Sequence, residues 1–96
     1  MPSYRSILTV TTLHPGGGPR DVESAARTAV EHSTTLEAFQ VDVVAGQPRV
    51  TVRFTGADDS QACQVHERTL TAVRTVAEVP AAVLARVVGG RSVPVR

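Results

Sequence analysis

Lysine, asparagine and tryptophan are absent from this chain, and cysteine, methionine and tyrosine occur once each. A lone Cys63 cannot close an internal disulfide, so no disulfide framework holds the fold or marks an oxidising compartment. Tyr4, Phe39 and Phe54 are the only aromatic residues, which removes the stacking surface that single-stranded RNA recognition needs. The apolar residues are then mostly valine and alanine, each of modest area. No run approaches the roughly eighteen apolar residues that span a bilayer, and residues 4–13 are too short and too rich in serine and threonine for a secretory signal core. Ten arginines face nine acidic residues for a net charge of +1, far from the basic field of a nucleic-acid or anionic-membrane binder. The expectation is a cytoplasmic protein with no nucleic-acid and no membrane partner.

Ninety-six residues suit one domain, residues 1–96, burying roughly 60–65 % of the surface its unfolded chain would expose. Hydrophobic periodicity then orders the chain. Residues 4–13 are rich in β-branched side chains, with Leu8 and Val10 on one face and Ile7, Thr9 and Thr11 on the other. The run His14-Pro15-Gly16-Gly17-Gly18-Pro19-Arg20 is a strong loop signal. After it Val22, Ala25, Ala26, Ala29 and Val30 recur at helical spacing, in a helix capped by Asp21 or begun at Pro19 and ending near Ser33.

The period then returns to two: Phe39, Val41 and Val43 alternate with Gln40 and Asp42, and past a turn at Gly46-Gln47-Pro48 so do Val50, Val52 and Phe54 with Thr51 and Arg53. Asp58, three residues before Gln61, opens a second helix whose buried stripe is Ala62, Val65, Thr69, Ala72, Val73 and Val76, bounded by Pro80. Residues 83–88 read as a fourth strand, and Gly89-Gly90 turns it into a short fifth strand at 91–95, held to an edge by Pro94. Strand, helix, strand, strand, helix, strand predicts an α+β fold of the ferredoxin-like βαββαβ type, with two helices on one face of a four-stranded antiparallel sheet and a short edge strand or tail at 91–96.

This architecture hosts unrelated activities, so function must come from side chains. Copper carriage would need paired thiols, and an acylphosphatase-like enzyme an asparagine; the chain has neither. Cys63 and His66 share one side of a helix but lack further ligands, which predicts no metal and no cofactor. Two candidate sites remain. The glycine-rich loop, with His14, Gly16, Gly17, Gly18 and Arg20, could hold a small ligand or anion at the start of the first helix. The bare sheet face could pair two copies through Arg5, Ile7, Thr9, Asp42, Val44, Arg53, Leu84 and Arg86, with Val88 adding apolar surface.

Element order and Gly16-Gly17-Gly18 before Asp21 resemble ACT domains, regulatory modules that pair their sheets and bind amino acids or other effectors beside the first loop. The same layout is similar to dimeric α+β barrel proteins, some of them monooxygenases. The resulting expectation is a non-catalytic, homodimeric binding or regulatory module for a small molecule. A structural subunit that docks another protein through its open sheet face is the alternative. A small enzyme using His14, His32 or His66 for proton transfer is the weakest reading.

Overall fold

The computed structural model describes residues 1–95. In chain order its elements are β1 (Ser3–Thr9), β2 (Thr12–Leu13), α1 (Pro19–Glu31), β3 (Leu36–Val44), β4 (Gln47–Thr55), α2 (Asp59–Arg74), β5 (Ala77–Glu78), β6 (Ala81–Val88) and β7 (Arg91–Pro94). The fold is α+β, with two helices and a five-stranded antiparallel sheet in the order β3-β4-β1-β6-β7. Arg96, the end of the expected tail, lies outside the described residues.

Period two decides which face of the sheet is covered. Tyr4, Ser6 and Leu8 of β1 are fully buried, and their register partners Val50, Val52 and Phe54 on β4 and Leu84 on β6 join them in one apolar core. Val22, Ala26 and Val30 of α1 and Ala62, Val65 and Val73 of α2 complete that core from above. The other face of β1 carries Arg5, Ile7 and Thr9, all half-buried.

Four boundaries differ from the sequence reading. The first strand is broken: Val10 donates its N–H to Pro48 O at 3.0 Å, and Thr12 and Leu13 then leave the main sheet to pair with β5. Helix α1 begins at Pro19, the second of the two starts the sequence allows, but its N-cap is Gly18, and Asp21 serves from the first turn by accepting the Gly18 N–H at 2.7 Å. Helix α2 stops at Arg74, because β5 intervenes before Pro80, and its buried side includes His66 and Leu70 where the apolar pattern had pointed to Ala72 and Val76. Its start is as spaced: Asp58 Oδ1 accepts the Gln61 N–H at 2.8 Å, a cap that contributes about 1 kcal/mol.

The fourth difference is the hairpin turn, which sits at Ala45-Gly46 rather than at Gly46-Gln47-Pro48. Val44 pairs with Gln47, leaving a two-residue loop in which both residues have positive φ, 52° and 78°. That is the type I′ geometry matched to strand twist. Glycine adopts it freely, whereas alanine at this φ carries strain of about 1–2 kcal/mol. A second glycine, Gly56, is required by contact, since a Cβ there would stand 2.9 Å from the Tyr4 ring. Replacing Ala45→Asn should raise unfolding stability by about 0.5–1 kcal/mol, because asparagine tolerates the left-handed region; a urea midpoint that stays put or falls would refute the turn assignment.

Candidate functional site

Strand length against helix length creates the most distinctive feature of the surface. Nine residues of β3 or β4 extend about 30 Å, whereas the thirteen residues of α1 cover about 20 Å, so the hairpin's turn end projects past the helix layer. The valines of β3 on the helix side pay for this in exposure: Val41 is 58 % and Val43 73 % accessible.

The uncovered stretch becomes a cleft because β1 breaks at Val10. The segment Thr11, Thr12 and Leu13 swings away to form one wall, Pro19 and Val22 at the start of α1 form another, and Phe39, Val41, Pro48 and Val50 make the floor. The open cleft has a volume of about 560 Å³, within the range of small-molecule sites. No lining side chain ionises. Thr11 and Thr12 stand exposed beside it, and neither hydroxyl makes a hydrogen bond to another described residue.

The glycine-rich loop borders this cleft without forming a ring of donors. Gly17 N–H donates to His14 O at 3.0 Å, and Gly18 N–H is taken by the Asp21 carboxylate. A negative charge therefore already occupies the first turn of α1, where the helix dipole favours it. His14 turns the other way: its N–H donates to Val76 O at 2.9 Å, and Nδ1 lies 3.2 Å from Thr75 O. Since a carbonyl only accepts, Nδ1 carries the hydrogen, and His14 serves the C-terminal end of α2. Arg20 is exposed. His14, the loop glycines and Arg20 thus share a neighbourhood but not a focus.

On the open sheet face, Arg5, Ile7, Thr9, Asp42, Val44 and Arg53 fall on one side by register, with Ile7 between Thr51 and Val83. Leu84 and Arg86 do not belong there. They oppose Ser6 and Tyr4 on the helix side, where Leu84 is 6 % accessible within the core and Arg86 reaches Asp59 at 3.4 Å. Val88 falls on that side as well. Residues 81–85 are apolar at every position, so alternation could not choose their face; the register assigns Val83, 46 % accessible, to the open side.

Arg5 and Arg53 stand directly opposite each other, a like-charge pair that would repel. Each is drawn aside. Arg5 donates to Ser92 Oγ at 2.8 Å, and Arg53 lies 3.3 Å from Glu37 at the β-bulge in β3. The Ser3 hydroxyl, donating to Glu37 at 2.6 Å, holds that carboxyl below its ordinary range, and Arg53 adds to the effect.

Cys63 and His66 face apart, the thiol exposed and the imidazole buried. No group of three His, Cys, Asp or Glu residues converges on a common point among the described residues. Instead His66 Nδ1 and Ser6 Oγ share a buried hydrogen bond at 2.6 Å. Ser6 is wholly inaccessible, so this serine–histidine contact cannot meet a substrate. Burial pushes the His66 imidazole below its ordinary pKa. Nearby, burial and the hydrogen bond to Asp59 push the Tyr4 phenol up to about 12.

A scan against protein-family models finds no match for this chain, and no curated protein matches it. Among the described residues no helix is long and apolar enough to cross a membrane.

Two outcomes test this geometry. A histidine with a lowered folded pKa binds its proton more readily when unfolded, so stability is complete above the unfolded value near 6.5 and declines as pH falls toward the folded one. Urea titrations between pH 5 and 8 should show that decline, and His66→Gln should flatten it; an unchanged slope would remove His66 as its source. Leu84→Ala should cost about 2–5 kcal/mol, as for a buried leucine, without altering association. A mild loss accompanied by a change in assembly would return Leu84 to the open face.

Proposed function

We propose that this chain is a non-catalytic small-molecule-binding or regulatory module of the ferredoxin-like βαββαβ type, working as a homodimer. The observation that carries the reading is the recessed cleft where β1 breaks, beside the glycine-rich loop and the first turn of α1. Setting aside the two-residue β2 and β5 and the edge strand β7, the order β3-β4-β1-β6 supports the finer fold name. It agrees with the layout resembling ACT domains, in which an effector lies near the first loop.

Self-association through the open face is supported by Ile7 and Val83 side by side, ringed by Thr9, Thr51 and the tethered Arg5 and Arg53. A polar rim around an apolar centre suits a protein interface. The non-catalytic part of the reading is supported by the sealed Ser6–His66 contact and by the divergence of Cys63 from His66. A cytoplasmic setting belongs to the same proposal and is consistent with the single unpaired cysteine.

Amide shifts recorded against a mixed set of charged and uncharged small molecules should show saturable movement in residues 10–22 and 39–50. A set that moves none of them would refute the binding module. Light scattering should give twice the monomer mass, and Val83→Arg should return it to the monomer with the melting temperature kept; a wild-type monomer at millimolar concentration would refute the dimer.

A further inference from the structure

We infer that the cleft selects an uncharged, mostly apolar small molecule bearing at most a hydroxyl or carbonyl group, a narrowing that rests on the binding-module reading above. Its floor and walls are valine, leucine, proline and phenylalanine, and its polar lining is confined to Thr11 and Thr12. An ionised ligand would shed its hydration there and gain no opposite charge. The start of α1 offers an anion no free donor beside the cleft. Pro19 has no N–H to offer, and the Gly18 N–H is held by Asp21. Two threonine hydroxyls without partners among the described residues can hydrogen-bond a neutral oxygen and orient it.

The concavity favours a small molecule over a protein. The cleft is bounded on two sides by Leu13 and by Pro19 with Val22, and its volume of about 560 Å³ suits a compact hydrocarbon. The most exposed valine, Val43, is not part of its lining.

Matched probes of equal length test the inference: 1-octanol and octanoate, titrated into the full chain at pH 7.5 while amide shifts are followed. Octanol should move residues 10–22 and 39–50 saturably, and octanoate should bind at least tenfold more weakly. Val41→Trp, at a position exposed enough to leave folding intact, should fill the cleft and weaken octanol at least tenfold with an unchanged melting temperature, whereas Arg20→Ala should leave octanol binding as it was. Octanoate binding as tightly as octanol would overturn the neutral-ligand inference while leaving the binding module in place. Concentration-dependent broadening of the same amides, with no response to octanol, would assign the cleft to a second copy and overturn the inference. Silence toward both probes would overturn it too, and the mixed-set titration then shows whether the module reading falls with it.

Discussion

The seating of α2 on β1 is the constraint on which the remaining structure depends. Three consecutive core-facing positions of β1 are Tyr4, Ser6 and Leu8, all without solvent access, and two of them carry hydroxyls that would be costly to bury alone. Both are answered from α2: Tyr4 donates to Asp59 at 2.7 Å, and Ser6 bonds His66 at 2.6 Å. Asp59 and His66 lie seven residues apart, two helical turns, while Tyr4 and Ser6 are neighbours on one face of the strand. The helix is therefore fixed over the strand in both translation and rotation. Gly56 lets the Tyr4 ring lie close against the chain entering α2, and Phe54 stacks beside it with centroids 6.0 Å apart.

From that seating the rest follows. With α2 held over β1, α1 packs at its side, burying Ala26, Ala29 and Val30, and lies against β3. Its alanines allow a close approach but bring little apolar surface, and its length falls short of the strands beneath. The sheet accordingly has a dry region under both helices and an uncovered apolar end at the hairpin turn. That end is where the apolar surface is concave.

The glycine-rich loop illustrates how a local signal can be sound while its chemistry goes elsewhere. A loop is there, and a helix begins at Pro19. But the groups that would make an anion site are engaged within the chain: Asp21 holds the Gly18 amide, and His14 closes the end of α2. Residues that looked unremarkable in sequence, Val10, Leu13, Phe39, Val41 and Pro48, line the cleft instead. One clue to them was present, since Val41 and Val43 continue the apolar alternation of β3 beyond the reach of any thirteen-residue helix.

Period and punctuation determined the two helices and the longer strands, though not the short β2 and β5, because each core-facing stripe needs its own repeat and because glycine and proline end the elements between them. They also determined that Phe54, Val52 and Leu8 would lie beneath the helices. Tertiary structure alone decided the face of residues 81–85, since an unbroken apolar run carries no alternation and only pairing with β1 can orient it. It alone decided that Ser6 and His66, sixty positions apart, would satisfy each other. And it alone made a cleft from a strand that breaks at Val10, since the chain there leaves β4 to pair with β5, a partner far away along the chain.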